Sequence, residues 1–303
     1  MYIYNLTDKK FFMANDVQAT FAKYATFETF RYQLVVDKTM PMNAFGNYET
    51  PEQLRAEKNN IFKELITNEK FRFHSSNENI KSKLLYQNGD MYYFKVSSKR
   101  SARIFKEDFT ENKIDNYPNI IVAINNHPDV QKIAIQSTGS PFKDVKTVQR
   151  FVLKTIDTKL RNYNLNFSLD PMFDKQDFWN FVRRHPQQIT QLTFDLVSPN
   201  MSNISKNLTI NLKEIYEDTN THRTKVELNA DTKRVLDIKE DSKIIGGLVS
   251  YCSDGGGVPY ARIQNSRKLL NTSDNPSEFN IDEKLIKEIN WEDLDKQFKD
   301  ILL

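Results

Sequence analysis

Basic side chains spaced four apart are the first feature of this sequence with chemistry to offer. Lys146, Arg150 and Lys154 recur at i, i+4 and i+8 and with Arg161 share the helix face opposite the valines, with Lys143 and Lys159 close by, so their charges align along one side. Such a stripe can track a nucleic-acid phosphate backbone. A solvated helix surface has the same pattern, and Asp157 interrupts this one. A second cluster, Lys95, Lys99, Arg100, Arg103 and Lys106, begins beside Tyr92, Tyr93 and Phe94. Charge next to aromatic rings suits single-stranded nucleic acid, which is held by neutralisation and stacking. Neighbouring strand residues face opposite ways, so at least one of those rings belongs to the core, and an ordinary basic loop is the alternative.

Carboxylates offer less. Asp231 with Asp237-Ile238-Lys239 echoes the acid and acid-x-lysine pattern of Mg²⁺-dependent nucleases, in which two carboxylates hold the metal and a lysine orients water. The match is short, and a charged turn explains it equally; Pro128-Asp129 before Gln131-Lys132 lacks a second acid altogether. The four histidines make no ligand spacing and Cys252 is the lone cysteine, so neither a metal nor a cofactor is expected. Cys252 falls on the apolar side of its helix, as a core thiol does, and Phe178, Trp179 and Phe181 read as packing. Ser253-Asp254-Gly255-Gly256-Gly257 could cradle a phosphate on its backbone N–H groups. It precedes a strand where phosphate loops precede helices, and no Gly-Lys-Ser/Thr follows. A helix cap and tight turn into an edge strand is the other reading. No serine sits in a nucleophile elbow, and whether the chain is an enzyme stays open.

These residues are positioned by elements the sequence marks clearly in places. Thr50-Pro51-Glu52-Gln53 is a capping box with proline at the first helical position, and Leu54, Ile61, Phe62, Leu65 and Ile66 supply the apolar face of a helix over 51–68. Asn88-Gly89 between two apolar runs predicts a hairpin over 83–94, and a second hairpin joins 120–124 to 130–135. From residue 139 the rhythm changes to alternating helix and strand. Helices are expected from Val145 to Asn162, from Asp174 to His185, around Leu208 to Tyr216, over 242–253 with Gly255 as left-handed cap, and in the 281–303 tail with Asn290 as a possible cap. Strands are expected at 165–169, 189–197, 225–228 and 258–264. The expected fold is α+β: a β-rich N-terminal domain of antiparallel sheet over 1–138, and a C-terminal domain with a helix-covered sheet over 139–303.

Composition bounds what such a fold can do. Among 303 residues, 43 basic side chains nearly balance 40 acidic ones, so no global field announces a nucleic-acid binder and any basic surface is local. One cysteine fits a reducing cytoplasm. Charge at Asp8, Lys9 and Lys10 argues against a signal peptide, and no 18 apolar residues run together. A cytoplasmic protein is therefore expected, which makes the sequons at Asn5, Asn203 and Asn207 coincidental.

The run from Ile189 to Asn200, taken with the Gly255-Gly256-Gly257 turn, resembles uncharacterised bacterial proteins of mobile or phage-defence regions, over roughly the second half of the chain. The resemblance implies an antiviral defence context and handling of nucleic acid, and it carries no residue role with it. Together these readings lead to an expected function: a non-catalytic nucleic-acid-binding component of a bacterial phage-defence assembly, contacting DNA or RNA through Lys99, Arg100, Arg103, Lys146, Arg150 and Lys154. The first alternative is a scaffold subunit whose partner is another protein or a second copy of itself, docked by the amphipathic tail carrying Leu294, Phe298, Ile301 and Leu302. The second is the Mg²⁺-dependent nuclease.

Overall fold

A computed structural model of the chain describes residues 23–39, 48, 50–75, 79–105, 107–198, 211–273, 275–288 and 290–302. Lys106, Leu208, Pro199, Asn200 and the three sequons lie outside the described residues. Strand β1 (Tyr24–Val36) is the spine of the larger sheet. Its Phe30, Tyr32, Leu34 and Val36 point to one face, while Ala25 and Phe27 serve a second core on the other, as a period of two requires. One edge of β1 pairs with β7 (Lys132–Gln136), and the sheet continues through β6 (Asn119–Asn125) and β3 (Met91–Ser98) to β2 (Ile80–Asn88). The other edge is shared end to end by β13 (Glu278–Asp282) and β8 (Leu165–Pro171), and all pairings are antiparallel. In the β2–β3 turn the two central residues are Gly89 and Asp90, with Gly89 at φ 62°. The glycine supplies the left-handed position, and Asn88 ends the strand instead of sharing the turn.

Helices cover both faces of this sheet. α1 (Pro51–Thr67) starts where the Thr50 side chain accepts from the Gln53 N–H, and it buries Leu54, Ile61, Phe62 and Ile66. Beside it α2 (Val145–Leu160) sends Val148, Phe151, Val152 and Ile156 into the same core. On the opposite face, after α6 (Glu283–Lys287), lies α7 (Trp291–Leu302), whose first-turn N–H groups of Glu292 and Asp293 are accepted by Asn290. Leu294, Phe298 and Leu302 of α7 pack on Phe27, Tyr93 and Ile121, and each such side chain removed from water contributes about 2 kcal/mol. The tail thus folds back on its own core, and Ile281 belongs to β13.

The second sheet runs β10 (Arg223–Asn229), β9 (Ile189–Val197), β11 (Gly257–Ile263) and β12 (Leu270–Asn271). α3 (Lys175–Arg184) and α5 (Lys243–Tyr251) close one side of it, with Phe178, Trp179, Phe194, Leu248 and Cys252 in the core between; α4 (Leu212–Thr219) leads into β10. The chain is α+β, sheet-rich in its N-terminal part and with helices over a sheet in its C-terminal part. The rhythm does change at residue 139, yet β8 and β13 from beyond that point complete the first sheet.

After α5 a wide turn over Cys252–Gly256 closes with Gly255 at φ 79°, the left-handed cap expected of it. A Cβ on Gly255 would overlap the Cβ of Arg31 on β1, and one on Gly257 would overlap the Asp195 carbonyl on β9. Gly255 therefore lets the turn approach β1 of the first sheet, Gly257 lets β11 pair closely with β9 within the second, and β11 leaves the turn as an inner strand of its sheet, between β9 and β12.

One further pair of strands, β4 (Arg100–Phe105) and β5 (Glu111–Asn116), forms a separate two-stranded arm continuing the β3–β6 hairpin. The sequence here reads as a basic loop because both faces of the arm are polar or exposed, which erases the alternation that marks a strand.

Candidate nucleic-acid interface

Helix α2 is fixed by its N-cap, where the Asp144 carboxylate accepts the Thr147 N–H at 2.7 Å, and by the apolar stripe beneath it. That leaves Lys146, Arg150 and Lys154 on the exposed side, where none forms an ion pair with a described residue. Asp157, which interrupts the stripe in sequence, is occupied elsewhere: it binds Arg161 at 2.8 Å and accepts the Phe167 N–H at 3.0 Å. Lys146 has one acidic neighbour of note. The Glu28 carboxyl on β1 is pushed up from its ordinary 4.5 to about 7 by burial and then by Glu278, against the pull of Lys146. Glu278 stands opposite Glu28 across the β1–β13 ladder.

The second expected cluster is used differently. Lys99 pairs with Asp115 at 2.7 Å and Arg103 with Glu111 at 3.3 Å, while Arg100 donates to the Pro141 carbonyl just ahead of α2. Each of these cations answers to a group of the protein itself. Tyr92, Tyr93 and Phe94 are 0%, 0% and 1% exposed, so all three rings are core and none can stack on a base. Tyr93 belongs to the α7 side, donating its hydroxyl to Asp295 at 2.9 Å. Tyr92 and Phe94 lie in the core under α1 and α2.

The structure brings together a cationic groove that the sequence conceals. It has a volume of 610 Å³ at the β2 edge of the sheet, with Arg72, Lys81, Lys83 and Lys95 around it and Phe73, Ile80, Leu85 and Tyr117 as its apolar lining; none of its lining residues is a carboxylate. Lys83 and Lys95 face one another across the β2–β3 ladder, and neither has an ion-pair partner among the described residues. Like charges directly opposite are unfavourable in a ladder, so a polyanion laid across them relieves the protein as well as itself. Lys81 sits 4.3 Å from the centre of the Tyr117 ring, which keeps that ring covered.

The segment through His74 joins groove to helix. His74 lines the groove, and its backbone exchanges hydrogen bonds with the Thr155 hydroxyl of α2 at 2.8 and 3.1 Å, next in sequence to Lys154. The signal that could have revealed the groove is the Lys81, Lys83 alternation on an edge strand, which is also how proteins keep sheet edges from pairing.

Other candidate chemistry resolves into structure. Asp231 and Asp237 stand on exposed turns, not on a strand, and engage Arg234 at 3.9 Å and Lys239 at 3.3 Å. Among the described residues no group of three or more His, Cys, Asp and Glu could hold a metal. Cys252 is buried, and burial pushes its thiol up, away from a reactive thiolate. Among the described residues no helix is long and apolar enough to cross a membrane. Comparison of the chain with protein-family models, curated proteins and solved structures returns no match.

Proposed function

We propose that this chain binds the phosphate backbone of nucleic acid through the groove and the exposed face of α2, as a non-catalytic component; its place in a bacterial defence assembly rests on the resemblance alone. The observation that carries the reading is the state of the cations. Lys83, Lys95, Lys146, Arg150 and Lys154 are held by no carboxylate among the described residues, while ion pairs elsewhere engage Lys99, Arg103, Arg183 and Arg223. Cations left unpaired on a protein of nearly balanced charge are available to a polyanion. With the expected aromatic platform buried, recognition is by charge and shape instead of base stacking.

Fluorescence anisotropy with single- and double-stranded DNA and RNA over a salt series tests it. Five phosphate contacts give a log–log salt slope of about −4, similar for unrelated sequences. Absence of binding to every one of these probes at low salt would overturn the reading.

A further inference from the structure

Apart from the Arg100 hydrogen bond to the Pro141 carbonyl and the Lys99–Asp115 pair at its root, the β4–β5 arm makes no side-chain hydrogen bond or ion pair to the rest of the fold among the described residues, and it lies outside the proposed interface. It extends the β3–β6 hairpin by six residues per strand, a reach of about 20 Å. Between Ser101 and Asp115 its described residues bond only within the arm and its root. A two-stranded ribbon with no covering layer is marginal in water, and Ile104 and Ile114 are each left 48% exposed. At its tip the Asp108 carboxylate accepts from the Thr110 N–H at 3.0 Å and hydroxyl at 2.6 Å. Between them Phe109 takes φ 60° and is 90% exposed. Left-handed backbone costs a residue with a Cβ about 1 kcal/mol, and exposing the ring forfeits its burial as well. Glu107 and Asp108 precede the ring in sequence and Glu111, paired with Arg103, follows it; residues 107–111 include no cation of their own.

The groove is the complement of the exposed Glu107-Asp108-Phe109 tip in charge and in apolar character. We propose that the arm tip of one copy of this chain docks in the groove of a second copy. Phe109 then meets Ile80 and Leu85, and the tip carboxylates lie among Arg72, Lys81, Lys83 and Lys95. A tip cannot enter its own groove, because the arm is the outward continuation of the strands that carry Lys95 and Asn119. Reciprocal docking about a two-fold axis closes the pair. The consequence for nucleic acid rests on the function proposed above: tip and phosphate backbone compete for the same cations, so self-association holds the groove closed until a polyanion displaces the arm.

Sedimentation velocity of the full chain tests this, in about 50 mM and about 500 mM salt. A dimer is expected at low salt that dissociates at high salt. Phe109→Ser, the tip reversal Glu107→Lys with Asp108→Lys, and the groove reversal Lys83→Glu with Lys95→Glu each give monomer, with circular dichroism unchanged because all these positions lie at the surface. Mixing the tip-reversed and groove-reversed chains restores a one-to-one dimer. A monomer under every condition, or a dimer that none of these substitutions weakens, overturns the proposal. The tip-reversed chain separates it from the nucleic-acid reading, since that chain, though monomeric, still binds a single-stranded oligonucleotide at least as tightly as the parent. Binding without any dimer removes the self-association alone, and a dimer that the oligonucleotide fails to dissociate removes the competition.

Discussion

Charge is handled in opposite ways at the seam between the two sheets and at the β2 edge. In the seam Arg223 of β10 reaches Asp195 of β9 at 2.9 Å and the buried Asp170 of β8 at 3.2 Å. Burial penalises its charge, but Asp170 and Asp195 outweigh that and push its pKa up. Nearby the Arg31 guanidinium donates to the Asp254 and Val130 carbonyls. Arg223, Asp170 and Asp195 each have a partner from another element, so this cluster is spent on holding β8, β9 and β10 together. At the β2 edge Arg72 donates to the Glu69 and Phe71 carbonyls and Lys81 lies over the Tyr117 ring, but Lys83 and Lys95 face one another with no ion-pair partner among the described residues. The difference teaches where to look for a ligand: charges satisfied internally are structural, and charges the fold leaves unsatisfied are surplus to it.

The sharpest break of this comparison comes from the seam. Replacing Arg223 with Met strands the Asp170 carboxylate in a buried site, and losing one partner of such a cluster costs about 4 kcal/mol. Urea denaturation should show that loss with an unchanged slope, and nucleic-acid affinity of the chain that remains folded should not change. Gly255→Ala comes next. It places a Cβ against Arg31 at a left-handed position, for about 3 kcal/mol from overpacking and backbone strain together. If Gly255 were instead part of a phosphate cradle, affinity would fall before stability did.

The β2 edge should behave in the reverse manner. Lys83→Glu with Lys95→Glu is expected to leave stability within about 0.5 kcal/mol, as surface changes do, while lowering affinity for any nucleic acid about tenfold. Arg150→Glu with Lys154→Glu should act in the same direction. Lys99→Glu and Arg103→Glu, whose cations already have carboxylate partners, should weaken binding much less. An equal effect of all three pairs would mean that internal pairing does not decide availability.

Much of the fold was legible in the residues. The capping box at Thr50, the apolar period of α2 and the left-handed cap at Gly255 are local signals, and each produced its element. β1 and the arm were harder. β1 carries Thr29, Arg31 and Gln33 into a buried setting, and the partners of Arg31, the Val130 and Asp254 carbonyls, lie 99 and 223 residues away along the chain. The candidate site divides along the same line. Lys146, Arg150 and Lys154 share one helix, so their exposure follows from period alone. The pairings of Lys99 and Arg103 depend on β5, and the groove depends on Arg72, Lys81, Lys83 and Lys95 coming from three segments. Local periodicity reports which residues share a face; it carries no information on which face meets an opposite charge.

Lys146 sits between the two regimes, and pH should move it from one to the other. Glu28, near it with Glu278 and Asp144, has its pKa raised in the folded chain from its ordinary 4.5 to about 7. Below 4.5 folded and unfolded chains both hold the proton, so the group contributes no difference. Between 4.5 and about 7 the folded chain keeps a proton that the unfolded chain has released, so stability falls as pH rises through that window and is level above it. Solvent around the half-exposed carboxyl keeps the size of this effect small. In the same window Lys146 acquires an ionised neighbour, and its share of phosphate binding drops. Affinity should therefore decline about twofold between about pH 6 and about pH 8, and Glu28→Gln should remove the part of that decline due to this group. Anisotropy titrations of the two chains side by side measure it. Identical pH profiles would place Lys146 outside the contact, leaving Arg150, Lys154 and the groove to carry the binding.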